Sequence, residues 1–246
     1  MTEVRHLLRR THTGQSRPQI CQCSSGQRFL IKGGTAAAAE LVAAGLAHHF
    51  GIKIPGYAVL SVPEPLHDHL APILMETEDN HPAPDPHNVF GSLWLDAAAD
   101  WDGQGSITEK LPATIDDALR LLAFDLFIDN WDRTSANPNL LVANGRLWAI
   151  DHEQAFGRVD MATDLDDSFP IKHHVGWSIA LTQRFMIPQI AEIVASVGAV
   201  EVEAAVAAVP TAWWSERWSA LKVVERLRDR GGIVATVLTD IARSGR

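Results

Sequence analysis

Short apolar runs alternate with polar turns in the first third of the chain, a pattern typical of β-strands. Three short extended segments are predicted between Glu3 and Lys32, separated by polar turns at residues 11–16 and 24–27. The third segment, Arg28–Lys32, ends on a lysine, and residues 54–62 predict a further strand. We therefore expect a small sheet in this part of the protein.

An alanine-rich segment between these strands predicts a helix. We expect Thr35 to cap its N-terminus, the helix to run to about His49, and Gly51 to supply the left-handed residue that ends it. Glu40 would lie in its second turn. Residues 63–88 are rich in Pro, His and Asp, which predicts irregular structure.

The second half of the chain has the spacing of amphipathic helices. A capping-box pattern at Thr114 and Asp117 begins one helix, and further helices are predicted at residues 188–197, 210–230 and 233–243. The predicted fold class is α+β with two lobes. Residues 1–90 would form a small β-rich N-lobe with one helix at 36–49, and residues 91–246 a mainly helical C-lobe.

Composition and charge narrow the class of protein. The 246 residues are 46% hydrophobic and 21% charged, which fits a globular chain, and the net charge of -9 argues against nucleic-acid binding through phosphates. Cys21 and Cys23 are too close on an extended strand for disulfide geometry, which favours a reducing setting. No run approaches the ~18 apolar residues of a membrane span, and the start lacks the apolar core of a secretory signal. We expect a soluble, cytoplasmic protein.

A hairpin signal lies in the middle of the chain. Asn144-Gly145, between two apolar runs, predicts a two-residue type I′ turn. In that register Asp151 comes opposite Pro138 and beside Asn137. One carboxylate and one carboxamide oxygen on adjacent strand ends suit Mg²⁺. Asn137 and Asp151 are therefore predicted metal ligands.

Two further patterns are typical of kinases. Asp132 stands five positions before Asn137, the spacing of a catalytic loop in which the Asp accepts the substrate hydroxyl proton and the Asn holds metal. Lys32 ends a strand and is followed by a helix with Glu40, the order of the phosphate-contacting lysine and its partner. Arg133 is predicted to steady Asp132 or its loop, and we group it with the catalytic residues.

The first polar turn is the candidate phosphate loop. Backbone N–H groups and hydroxyls of Thr13, Gly14, Gln15 and Ser16 would contact the nucleotide phosphates. The turn has one glycine, so a GxGxxG pattern is missing. For the adenine, the candidate hinge is Phe90–Trp94.

Simpler interpretations exist for several of these residues. Asp and Asn are common turn formers, and a lysine at a strand end is commonly solvated. The pairs His48-His49 and His173-His174, with the two cysteines, raise the alternative of zinc. None of them has the spacing of a zinc site, so surface or core positions are favoured.

The chain resembles the HipA-like kinases, within the atypical kinases that include the phosphatidylinositol kinases. The resemblance spans about residues 11–156. Four segments carry it: FLIKGG at 29–34, Glu40 with residues 46–55, DRTSANPN at 132–139, and IDHE at 150–153. It implies a protein-kinase-like fold and ATP-dependent phosphorylation of a protein or small-molecule hydroxyl, in a family associated with bacterial stress and toxin–antitoxin systems.

The chain departs from related sequences at three places. Thr134 stands where related loops often carry histidine, His152-Glu153 replaces the Phe-Gly of ordinary protein kinases, and an Ala-Pro-Glu motif is missing. None of these changes removes the base or a metal ligand.

The predicted function is therefore an ATP- and Mg-dependent kinase acting on a hydroxyl of a protein or small-molecule acceptor. Two alternatives stay open. A pseudokinase-type module would keep the fold to bind nucleotide or a partner, and a metal-dependent hydrolase would leave Lys32 and Glu40 without a role.

Overall fold

Five strands form a closed barrel in the order β1-β2-β3-β5-β4. The structure, a computed structural model, describes residues 2–10, 19–74, 85, 87–101, 115–156, 171–215 and 218–243. The neighbouring pairs are antiparallel except β1 with β4, which run parallel. The strands are β1 Thr2–Arg10, β2 Gln19–Cys23, β3 Arg28–Lys32, β4 Tyr57–Ser61 and β5 Asn88–Leu93.

Alternate residues of the barrel strands fill its interior. Cys21 and Cys23 on β2 and Phe29 and Ile31 on β3 are buried, as the two-residue repeat of a strand requires. Gly26 turns the chain between these strands with φ of 80°, which confirms the predicted turn there. Because β3 alternates in this way, Leu30 and Lys32 share the opposite face.

Helix α1, Gly34–Ala47, packs beside the barrel. Its alanines from Ala37 onward are almost fully buried, since small side chains let the helix approach its neighbours closely. The prediction that Thr35 caps this helix is wrong. Gly33, which has no side chain to accept a capping hydrogen bond, occupies the N-cap position. Gly51, with φ of 69°, ends the 3₁₀ turn after α1, so the predicted stop is confirmed.

Helix α3, Ile115–Ile128, is the centre of the helical part, and nearly all its residues from Ala118 onward are buried. Three further strands, β6, β7 and β8, form a second sheet. In the sequence β6 precedes this helix, and β7 and β8 follow it. The remaining elements are α2 His67–Leu74, β6 Ala99–Asp100, β7 Leu140–Ala143, β8 Arg146–Ala149, α4 Trp177–Thr182, α5 Ile187–Ser196, α6 Ala199–Ala207, α7 Ala220–Arg228 and α8 Arg230–Arg243.

Several predicted element boundaries are wrong. Residues 63–88 include helix α2 and the 3₁₀ turn Glu64–Leu66 before it. The single helix predicted for 210–230 is a 3₁₀ turn, Thr211–Trp213, followed by the separate helix α7. The break has a local cause, because Ser219 starts α7 by accepting a hydrogen bond from the backbone N–H of Lys222 at 3.4 Å.

The chain leaves the barrel after Leu93, where the pairing of β5 with β3 ends. The predicted division at residue 90 falls inside this strand. Within the described part of the chain, no helix combines the length and the apolar character needed to cross a membrane.

Candidate active site

Lys32, at the end of β3, is surrounded by three carboxylates. Its Nζ lies 2.7 Å from Oε1 of Glu40, 2.5 Å from Oδ1 of Asp151 and 2.9 Å from Oε2 of Glu153. Glu40 reaches it from α1, and the two others follow β8. The structure thus brings together three residues that the sequence predicted, Lys32, Glu40 and Asp151, and adds Glu153.

Burial and charge act against each other at this cluster. Burial lowers the pKa of Lys32, but the three carboxylates outweigh it and hold that pKa well above its ordinary value. Burial likewise opposes ionisation of Glu40, yet the Lys32 ammonium and His152 lower the pKa of Glu40 to about 2. Burial raises the pKa of Glu153, and Lys32 offsets this in part. The Lys32–Glu40 pair is therefore a charged contact fixed inside the protein.

The hairpin β7–β8 delivers Asp151 to this cluster. Its register pairs Ala143 with Arg146, and both Asn144 and Gly145 have positive φ, 52° and 68°, which confirms the predicted type I′ turn. Beyond the strands, the backbone N–H of Ile150 donates to the carbonyl of Asn139 at 3.1 Å. Asp151 itself has φ of 60°, a left-handed conformation that is uncommon outside glycine.

Asp132 is held by two asparagines of its own loop. Its Oδ2 accepts hydrogen bonds from Nδ2 of Asn137 at 2.8 Å and from Nδ2 of Asn139 at 3.1 Å. These contacts fix the orientation of the carboxylate, while the side chain stays accessible to solvent. A carboxylate with fixed orientation and solvent access suits a group that must meet an acceptor hydroxyl.

Asn137 bonds Asp132 through its nitrogen, so its carboxamide oxygen is the atom with the chemistry of a metal ligand. That oxygen and the Asp151 carboxylate are hard donors that fit Mg²⁺, which keeps water and phosphate oxygens in its remaining positions. Among the described residues, no group of three or more His, Cys, Asp or Glu side chains is arranged to hold a metal ion.

Arg133 lies in the interior of the protein. Its side chain is 0% exposed, and its Nε donates to Oδ2 of Asp125 at 2.6 Å. Its Nη1 donates to the backbone carbonyls of Pro138, Asn139 and Ile150 at 3.1, 2.6 and 3.3 Å. Arg133 thus ties the Asp132 loop to the strand end that precedes Asp151, which is a positioning geometry.

A cleft that is partly open to solvent extends from the Lys32 cluster. Its polar end holds Lys32, Glu40 and Asp151. The rest of its lining is mainly apolar: Leu30, Ala44, Ile54, Pro55, Tyr57, Phe90, Ala149 and Ile150. An apolar cavity with charged groups at one end has the form expected of a nucleotide pocket.

Some of these lining residues belong to segments that the sequence pattern had singled out, and others do not. Phe90 and Ser92, within the candidate hinge, line the cleft from β5. Leu30 was missed, although the two-residue repeat of β3 puts it on the face of Lys32. The candidate phosphate-loop residues Thr13, Gly14, Gln15 and Ser16 lie outside the described residues.

The sequence of this chain matches a known protein family. A model of the HipA-like kinases matches residues 4–231. The chain belongs to the HipA-like kinase family. This confirms the resemblance carried by its four sequence segments. Among curated proteins, none matches the chain by sequence.

Solved kinase structures share the fold. The chain is similar to the Helicobacter pylori proinflammatory kinase CtkA, with 11% identity and a TM-score of 0.57 over 98% of this chain and 97% of that one. It is also similar to the Golgi casein kinase, with 11% identity and a TM-score of 0.55 over 100% of this chain and 74% of that one. A structure of the Golgi casein kinase with Mn/ADP bound gives a TM-score of 0.53 at the same identity and coverage. The two-lobed, protein-kinase-like fold is therefore confirmed.

Proposed function

We propose that this HipA-like kinase transfers the γ-phosphoryl group of ATP to a hydroxyl of a protein or small-molecule acceptor, with Mg²⁺ as the metal. The observation that carries the proposal is the contact of Lys32 from the barrel with Asp151 from the hairpin, at 2.5 Å, at the polar end of a mainly apolar cleft. The charged groups at the polar end support binding of phosphates there, and the apolar lining supports binding of a nucleobase.

The proposed roles follow from position and charge. Lys32, oriented by Glu40, would contact the α- and β-phosphates. Asn137 and Asp151 would hold Mg²⁺, which when bound supplies positive charge against the phosphate oxygens. Asp132, oriented through its Oδ2, would accept the proton of the acceptor hydroxyl.

The bond changes in the proposed reaction balance. The acceptor oxygen forms a bond to the γ-phosphorus, and the bond from that phosphorus to the oxygen bridging it to the β-phosphate breaks. ADP leaves with the electron pair of the broken bond. The acceptor proton passes to the carboxylate of Asp132 and then to solvent. The protein's part is to position groups and to balance charge.

Nucleotide binding is the first test. A ligand at 100 times its dissociation constant adds about 2.7 kcal/mol of stability. For a chain of this size that corresponds to a rise in Tm of about 5–11 °C. We expect Mg·ATP to produce such a shift in the wild-type protein. No shift with Mg·ATP, at any concentration up to millimolar, would refute the proposal.

Transfer is the second test. We expect Asp151→Asn to abolish transfer of label from γ-labelled ATP to the chain itself or to generic protein acceptors. Asp240→Asn, which removes the same charge from an exposed site on α8, is the matched control and should keep full activity. Wild-type transfer in the Asp151 variant would exclude the proposed mechanism.

The same assays separate the alternatives. A pseudokinase-type module would show the thermal shift without turnover. A metal-dependent hydrolase would act on substrates without any need for nucleotide, and Lys32→Met would leave its activity unchanged.

A further inference from the structure

A single buried carboxylate links the Asp132 loop to a later segment of the chain. Asp125 on α3 is 0% exposed, and its Oδ2 accepts from Nε of Arg133 at 2.6 Å and from Nε2 of His174 at 2.9 Å. Its Oδ1 accepts from Nδ2 of Asn130 at 3.0 Å. Three donors on one buried carboxylate satisfy its hydrogen-bonding capacity well, as an ionised group in the interior requires.

The charge on Asp125 is stable. Burial alone would raise its pKa, but the Arg133 guanidinium and the His174 hydrogen bond hold that pKa well below its ordinary range. Arg133 and Asp125 therefore form a buried ion pair, and from it Arg133 reaches the carbonyls of Asn139 and Ile150.

The hydrogen bonds of His174 define its tautomer. The backbone N–H of Gly176 donates to Nδ1 of His174 at 2.9 Å, so Nδ1 is an acceptor. Nε2 then carries the hydrogen and donates to Asp125, and the neutral ring is sufficient for both bonds. His174 is itself buried, with 6% of its surface exposed.

The backbone around His174 also contacts the Asp132 loop. Thr134 and His174 form an isolated antiparallel bridge, and the N–H of Val175 donates to the carbonyl of Arg133 at 3.3 Å. The segment is thus attached to the loop by its main chain and, through Asp125, by its side chain. Two attachments that converge on Arg133 restrict the position of the loop more than either alone.

We infer that His174, acting through Asp125 and Arg133, is a positioning residue that keeps the Asp132 loop and the backbone before Asp151 in their reactive arrangement. This inference rests on the proposed function, in which Asp132 meets the acceptor and Asp151 holds metal. His174 touches neither of them and does not border the nucleotide cleft. Its loss should therefore lower kcat by a larger factor than it raises the KM for ATP.

Two substitutions separate the two hydrogen bonds of His174. In His174→Gln, the side-chain amide reaches the position of Nε2 and can still donate to Asp125, but the acceptor for Gly176 is lost. In His174→Asn, the shorter amide lies near Nδ1 and keeps an acceptor for Gly176, but it does not reach Asp125. Both variants place a carboxamide at position 174, and they differ in whether the contact with Asp125 or the contact with Gly176 is kept.

The kinetic result should follow the contact to Asp125. Since a displacement of about 1 Å can cost a factor of about 100 in rate, we expect His174→Asn to lower kcat by about 10- to 100-fold. His174→Gln should stay within about threefold of wild type, and KM for ATP should change less than about threefold in both. Equal losses of kcat in the two variants, unchanged kcat in both, or a loss confined to KM would overturn the inference.

Hydrogen exchange supplies a readout that does not need activity. Peptides covering residues 131–139 should exchange faster in His174→Asn than in His174→Gln, because only the former loses the hydrogen bond from residue 174 to Asp125, which holds Arg133. Equal exchange in the two folded variants would overturn the inference. If wild-type protein neither binds nor turns over Mg·ATP, the proposed function fails, and the exchange comparison still decides the positioning role.

Discussion

Replacing Arg133 by Met should destabilise the protein strongly. Both Arg133 and Asp125 have side chains that are 0% exposed, so the substitution leaves a carboxylate in the interior without its cationic partner. Removing one partner of a buried pair typically costs about 3–5 kcal/mol. At about 2–4 °C per kcal/mol for a chain of this size, Tm should fall by about 6–20 °C.

Urea or thermal unfolding followed by circular dichroism measures this effect. The double variant Asp125→Leu/Arg133→Met supplies the control, because it removes both charges together and replaces them with apolar groups. We expect it to lose at least about 1.5 kcal/mol less than the sum of the two single variants, as residues in direct contact are not additive.

Two results would show that this reasoning is wrong. One is a loss below about 1 kcal/mol in Arg133→Met, which is the size of an ordinary surface or hydrogen-bond change. The other is additivity of the two single substitutions, which would mean that the charges of Arg133 and Asp125 do not depend on each other.

Three further predictions concern the Lys32 cluster and the hairpin. Glu153→Gln removes a negative charge 2.9 Å from Lys32 and should strengthen metal-free binding of ADP by about tenfold, or ~1.4 kcal/mol. Calorimetric titration with ADP in EDTA measures this, and equal or weaker binding in the variant would contradict it. The pKa of Glu40 falls from 4.5 to about 2 on folding, so its stabilising effect is present above pH 4.5 and is lost as pH falls towards 2. Glu40→Gln should therefore flatten the loss of stability between pH 4.5 and 2, and an unchanged slope in acid unfolding would refute this. Gly145→Ala, at φ of 68°, should cost about 1–2 kcal/mol of stability, and a neutral result in thermal unfolding would argue against the type I′ turn.

The parts of the site that sequence predicted well depend on local rules. Asn144-Gly145 fixes the turn type, the turn type fixes the register, and the register determines where Asp151 lies. Lys32 at a strand end and Glu40 in the next helix are also close along the chain. For residues this close in sequence, regular strand and helix geometry is sufficient to predict that their side chains come into contact.

The parts that sequence missed depend on contacts between distant segments. His174 and Asp125 are 49 positions apart in the sequence and form a hydrogen bond in the fold. The sequence His173-His174 alone does not show whether a histidine is buried and bonded to a carboxylate or lies on the surface. Glu153 follows Asp151 by two positions, yet its contact with Lys32 depends on how the barrel packs on the hairpin. The wrong prediction of a cap at Thr35 has a different cause, since the helix already begins at Gly34, with Gly33 in the N-cap position.

The excess of carboxylates around Lys32 gives a reason for a cation to bind in this cleft together with a nucleotide. One ammonium faces Glu40, Asp151 and Glu153 within 2.9 Å, so the polar end of the cleft carries more acidic than basic groups. A nucleotide triphosphate would add further negative charge in a place where water screens it poorly. Lys32 is already engaged by carboxylates, and it cannot balance the phosphates alone. A divalent ion on Asp151 would neutralise that carboxylate, free Lys32 for the phosphates and pair with their oxygens, and this is the physical reason for including Mg²⁺ in the proposed function.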